Sequence, residues 1–201
     1  MKENVYTIVQ DFEERMARFA GSKHAVAVAS CTNALFLCMK LYPIGRVWLP
    51  KRTYVSVPMQ VIHAGGSIEW RDWEWEGTYE IKPLGITDGA LRMRRDMYEG
   101  GLHCLSFHIQ KSLPIGRGGM VLTDNEQKAD RLRHMRYSGR TPYMPLSQDK
   151  ITMLGWDMNM TPEQAARGLM LMDIMGDGYP DQHNEYADLS NKEQFPVFNV
   201  H

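Results

Sequence analysis

"CLSFHIQKSLPIGRGGMVLTD", residues 104–124, decides how this chain is read. Two short apolar runs, one ending at Phe107 and one covering Met120–Thr123, flank Lys111 and a glycine-rich turn from Gly116 to Gly119. Both runs have the length of buried strands. A lysine between two such strands, beside Ser106 and His108, is either a surface cation on a loop or an amine placed for chemistry. A desolvated lysine, or one near positive charge, sheds its proton more readily and becomes a nucleophile.

Outward from this stretch, short strands and helices alternate. Strands are expected at 24–29, 46–50, 67–72, 84–88, 102–107 and 119–124. Helices are expected at 11–20, with Asp11 as cap and Gly21 as stop, then at 32–42, 55–65 and 125–137. Pro58 must lie in the first turn of its helix. A last helix begins at Thr161 as cap, with Pro162 in first position. This alternation indicates an α/β layered fold with a mainly parallel, mixed central sheet. No internal repeat or low-complexity tract interrupts it. Residues 1–175 are expected to form one domain, and the polar residues 176–201 an arm or partly disordered tail.

The bulk numbers fit one domain. There are 201 residues, 43% hydrophobic and 23% charged, enough for a real core. A net charge of −1 gives no push towards nucleic acid or an anionic membrane. Arg92, Arg94 and Arg95 form a local basic cluster, which reads as a solvated face. Three cysteines, Cys31, Cys38 and Cys104, show no framework spacing, so free thiols in a reducing compartment are expected. The first residues carry no signal-like apolar core, and no run approaches a membrane span. A soluble, cytoplasmic protein is the expectation. His103, Cys104 and His108 lie close together, but neighbouring strand residues point to opposite faces and paired-ligand spacing is absent, so no metal site is expected.

Four positions carry chemistry. In "ASCTNAL" (29–35) a strand gives way to a helix at Ser30, Cys31 and Thr32, and backbone N–H groups at a helix start suit a phosphate. In "LPKRTYVSV" (49–57) Tyr54 lies just past a strand end, where it could stack on a planar ring. Asp88 ends a strand before Gly89 and Ala90, open to a ring nitrogen. Lys111 supplies an amine. Singly, each has an ordinary reading: helix cap, packing aromatic, turn aspartate, surface cation. In this order, and all at strand ends, they supply what pyridoxal phosphate needs: a phosphate cup, a ring stacker, an acid for the pyridinium nitrogen and an imine-forming lysine.

The chain resembles the DegT/StrS sugar aminotransferases, a fold-type I pyridoxal-phosphate family, over most of residues 10–170. "FEERMARFAGSKHAVAVASCTNAL" (12–35) resembles the family's opening helix, first strand and phosphate turn. "SFHIQK" (106–111) resembles its Ser-Phe-x-x-x-Lys signature, and "DGA" (88–90) its Asp-Ala-Ala segment. "GWDMNMTPEQAA" (155–166) resembles its Gly-x-x-x-Asn segment. The resemblance implies a three-layer large domain with Lys111 as Schiff-base lysine and Asp88 on the ring nitrogen. It implies that Ser30, Cys31, Thr32, Tyr54, Ala90 and Ser106 line the cofactor site. It also implies that Asn159 reaches the phosphate in a neighbouring subunit, and hence a homodimer with shared sites.

The departures are specific. Cys31 replaces a usual glycine, Leu91 a Gln or His beside the ring hydroxyl, and Arg117 an acid. Asp88 comes only sixteen positions after Asp72, where the family holds a further strand–helix unit. The chain is therefore expected to be a reduced large domain without the C-terminal small domain. The function implied is transfer of an amino group from an amino acid, such as glutamate, to a keto acceptor, with a nucleotide-linked keto-sugar following from resemblance alone. Two alternatives stay open: decarboxylation, racemisation or elimination on an amino acid, and a non-catalytic cofactor-binding role.

Overall fold

The computed structural model describes residues 6–142 and 144–199. The outermost parts of the expected segments 1–175 and 176–201, residues 1–5 and 200–201, lie outside the described residues, as does residue 143. The elements in order are α1 (Thr7–Ala20), β1 (His24–Val28), α2 (Cys31–Met39), β2 (Arg46–Pro50), α3 (Ser56–His63) and β3 (Ser67–Arg71). Then come β4 (Tyr79–Ile81), β5 (Ile86–Asp88), β6 (Met93–Arg94), β7 (Leu102–Ser106), β8 (Gly119–Thr123) and α4 (Glu126–Met135). Last are α5 (Pro162–Met175), β9 (Gly178–Tyr179) and a 3-10 turn, Pro196–Asn199.

Strand alternation builds the three layers. Successive side chains point to opposite faces. On β1, Val26 and Val28 face one core while Ala25 and Ala27 face the other. On β8, Val121 faces the first and Met120 and Leu122 the second. The first core packs under α2, α3 and α4, the second under α1 and α5. Helix α2 is apolar nearly all round, with seven of its nine residues buried, as a helix enclosed by sheet and neighbouring helices must be.

The five-stranded sheet runs β1-β8-β7-β5-β4. It is mixed, but parallel pairing does not dominate it. Only β5 and β7 pair in parallel there; the other three pairings are antiparallel. The second parallel pair, β2–β3, lies beside this sheet, joined through the Trp48 N–H to Lys82 carbonyl bond of 2.8 Å. Connection length explains the β4–β5 pairing. A parallel crossover needs a dozen or more residues, usually a helix. Between β4 and β5 there are only residues 82–85, so the chain must turn straight back. The short interval between Asp72 and Asp88 thus holds β4, an antiparallel strand absent from the sequence reading.

Other boundaries follow local chemistry. Helix α1 starts at Thr7, upstream of Asp11, because burying Val9 extends its apolar face; Asp11 lies inside the helix and Tyr6 occupies the cap position. Gly21 ends it in the left-handed region, as read. Thr161 caps α5 through a reciprocal bond with Gln164, and Pro162 is its first residue. A buried pair, Glu13 with Arg136, ties three elements together. Glu13 Oε1 accepts the Ala27 N–H at 2.7 Å and a bond from Arg136, which also donates to the Ala27 carbonyl.

Residues 176–199 are laid along the strand-end loops. Strand β9 pairs antiparallel with β6, and Leu189 and Phe198 are buried. No described helix is long and apolar enough to cross a membrane.

Candidate active site

The loops after β1, β2, β5 and β7 meet at one pocket of about 200 Å³. Ser30, Cys31, Thr32, Tyr54, Asp88, Ala90, Ser106 and Lys111 all line it. The structure therefore brings together eight of the nine residues singled out in the sequence. The ninth, Asn159, lies elsewhere, bridged antiparallel to Val28 and bordering a different cavity with Tyr6, Tyr137 and Met160. Leu91 is buried, and its carbonyl accepts the Gln182 N–H at 3.0 Å.

The wall facing the start of α2 is built for an anion. Ser30 caps the helix, its hydroxyl accepting the Asn33 N–H at 3.1 Å. Thr32 and Ser56 hydroxyls stand 2.8 Å apart, and Ser106 ends β7 beside them in the same pocket. Unbonded N–H groups of a helix's first turn, with hydroxyls around them, suit a phosphate. This turn can lie so close to the sheet because β8 begins with a glycine. A Cβ on Gly119 would stand 2.4 Å from the Cys31 backbone nitrogen.

Asp88 is buried at the end of β5, 4% exposed. Burial raises its pKa above the ordinary carboxylate value, while the Ala90 N–H, the Tyr79 hydroxyl and the Lys111 ammonium counter that rise. Ala90 N donates to Oδ1 and Tyr79 Oη to Oδ2, both at 3.0 Å. Tyr79 is also 2.5 Å from the Thr53 hydroxyl. Burial and the Asp88 charge push the Tyr79 phenol well up, so it remains a neutral donor. Sequence reading missed Tyr79, whose strand it did not see; the alternating "TYEIK" (78–82) is the faint signal for it.

Lys111 follows β7 in a turn closed by its own N–H to the His108 carbonyl at 2.8 Å. It is half-buried. Desolvation lowers its pKa from the ordinary lysine value, against the opposing pull of Asp88 and Cys31. The Cys31 thiol, buried and near Asp88, is pushed well up and stays protonated. Lys111 Nζ donates to the Tyr186 hydroxyl at 3.4 Å. Tyr186 also lines the pocket, stacked on Trp75 with ring centroids 6.2 Å apart and 6.0 Å from Tyr54. Nothing in the sequence around Tyr186 marked it.

The donor set fits pyridoxal phosphate. A hydroxyl-rich helix start, a buried carboxylate with two donors already on it and a half-buried amine line a single pocket. No group of three or more metal-ligating side chains occurs among the described residues.

The chain is 30% identical to the spore coat polysaccharide biosynthesis protein SpsC of Bacillus subtilis, over 80% of this chain and 55% of that protein. The chain spans about half the length of the curated relatives it matches. Its fold resembles AtS13 from Actinomadura melliaura with a TM-score of 0.72, at 18% identity, over 83% of this chain and 59% of that one. It also resembles the sugar aminotransferase CalS13 from Micromonospora echinospora with a TM-score of 0.69, at 16% identity, over 86% and 66%. The DegT/DnrJ/EryC1/StrS aminotransferase family model matches residues 3–88 and 97–184. With nearly the whole chain matched, the fold shared and the site residues gathered in one pocket, this chain belongs to the DegT/DnrJ/EryC1/StrS aminotransferase family.

Proposed function

We propose that this chain binds pyridoxal phosphate at Lys111 and moves an amino group from an amino-acid donor to a keto acceptor. The observation that carries this reading is the meeting of Lys111 and Asp88 in one pocket with the hydroxyl-lined start of α2. When bound, the cofactor would supply an electron sink for charge developing at a substrate Cα.

The residues of the chain do the rest. Ser30, Thr32, Ser56 and Ser106, with the first N–H groups of α2, would hold the phosphate. Asp88, its carboxylate oriented by Tyr79 and the Ala90 N–H, would keep the pyridine nitrogen protonated. Tyr54 would stack on the ring. Lys111 Nζ would carry the covalent attachment and, once freed by the donor amine, would act as the general base for a 1,3 proton shift. Its lowered pKa raises the share of free amine near neutral pH. Arg117, on the pocket wall, suits a substrate carboxylate. The likeness to the sugar aminotransferase CalS13 supports a keto-sugar as acceptor, while its nucleotide link and glutamate as donor rest on the family resemblance alone. Residues 1–175 would form the cofactor-binding unit. Asn159, half-buried and away from Lys111, would serve the site of a second copy in a homodimer.

The test is an absorption spectrum of the protein with pyridoxal phosphate, beside Lys111→Ala, followed by a panel of amino acids. A visible band that is lost in the variant, and bleached by one donor, is the expected result. Absence of any band refutes cofactor binding. A band unchanged by every amino acid refutes transamination.

A further inference from the structure

The segment after α5 is held against the body of the fold at successive points. Asp177 accepts the Arg95 N–H through its carbonyl at 2.9 Å and pairs with the Arg95 side chain at 2.8 Å. Asp181 is gripped by Arg92, with contacts of 2.7, 3.0 and 3.1 Å, and both side chains are nearly buried. Gln182 bonds both ways, its N–H to the Leu91 carbonyl at 3.0 Å and its carbonyl to the Gly77 N–H at 3.1 Å. Asn184 Nδ2 donates to the Trp75 carbonyl at 2.9 Å, and the Leu189 N–H to the Lys51 carbonyl at 2.9 Å. The approach is close: Gly77 has a φ of +67°, and a Cβ there would lie 2.4 Å from the Asp181 carboxylate. Between these anchors sits Tyr186, on Trp75 and over Lys111. Arg92 and Tyr186 both fall outside the residues the family model matches.

We propose that residues 177–189 are a built-in cover of the active site, and that Tyr186 is the residue by which the cover excludes water from Lys111 and orients its amine. This deepens the proposed function and rests on Lys111 being the working amine. The arm brings the Tyr186 ring into a pocket otherwise lined from the body of the fold. Within the basic cluster 92–95, Arg92 turns inward to clamp Asp181, while Arg94 and Arg95 remain solvated and pair with Asp181 and Asp177 at the surface. The phenol stays neutral, pushed up by burial and by Asp88, so it accepts a hydrogen bond from the ammonium without adding a charge. The titratable groups around Lys111 are Asp88 from β5, Cys31 from α2, Tyr54 before α3, His108 and Arg117 from the β7–β8 connection, and Tyr186 from the arm.

The test uses the full chain without cofactor, so its outcome is separate from that of the cofactor reading. Trace acetic anhydride labelling across a pH series, read by peptide mass spectrometry, reports the apparent pKa of Lys111. In Tyr186→Ala water reaches the amine, and the pKa rises by half a unit or more, about a threefold drop in free amine. Tyr186→Phe keeps the ring but loses the acceptor, so the value stays low or falls further. Asp181→Asn, which loosens the arm without touching the pocket, raises the pKa and speeds limited proteolysis within 177–189. Equal Lys111 values in wild type and Tyr186→Ala overturn the proposal, as does a rise in Tyr186→Phe that matches the alanine variant. Unchanged proteolysis and labelling in Asp181→Asn overturn the role of the Arg92 anchor. Near-ultraviolet circular dichroism confirms that each variant is folded.

Discussion

Two buried titratable side chains oppose each other in their effect on stability. His103 on β7 is 2% exposed, and its Nε2 has no hydrogen-bond partner. Burial, reinforced by Arg92, lowers its pKa from 6.5 to about 4. A depressed pKa means the unfolded chain binds the proton first, so the contribution of His103 is complete above about pH 6.5 and is lost as pH falls towards 4. That window is worth about 3 kcal/mol. Asp88 runs the other way. Its pKa is raised by burial, so stability is lost as pH rises from the ordinary carboxylate range through its folded value. Urea unfolding across pH separates the two. His103→Leu should flatten the acid-side loss, whereas Asp88→Asn should raise stability at neutral pH while abolishing tight cofactor binding. A His103→Leu profile parallel to wild type, or an Asp88→Asn protein no more stable at neutral pH, would contradict these assignments. At this scale the sequence was most informative. Asp88 and Lys111 were legible because strand ends have recognisable boundaries, but Tyr79 and Tyr186 are ordinary tyrosines until neighbours remote in sequence meet them.

Among elements, the contact of α1, β1 and α4 depends on Glu13 and Arg136, 6% and 4% exposed. Removing one member of a buried pair leaves the other charge uncompensated, at about 3–5 kcal/mol. Glu13→Ala should therefore lower the urea midpoint sharply, while an exposed pair such as Arg18 with Glu14 contributes at most about 1 kcal/mol. Similar midpoints for Glu13→Ala and Glu14→Ala would refute this. The pair was invisible in the sequence, since Glu13 sits in a charged run and its partner lies over a hundred residues away. The helices themselves were readable from apolar spacing and caps, Thr161 and Pro162 above all. The antiparallel β4 was not, because a three-residue strand carries almost no periodicity and its partner is set by the shortness of the following turn.

At the scale of the whole molecule, Asn159 and Lys111 stand at different places on one chain. If each site takes Asn159 from a second copy, mixing two inactive variants should restore function. Lys111→Ala and Asn159→Ala, refolded together, should recover up to about a quarter of the wild-type activity, with sedimentation showing a dimer. No recovery from a dimeric mixture would refute a site shared between two copies.

The layered α/β architecture, the approximate helix positions and most residues of the Lys111 pocket were written in local patterns: apolar period, caps and short motifs, which depend only on neighbouring residues. The direction of the strand pairs, the buried Glu13–Arg136 tie, the Tyr79 support of Asp88 and the placement of Tyr186 over Lys111 were settled by folding in three dimensions. Each depends on which distant surfaces meet, and no local propensity encodes that.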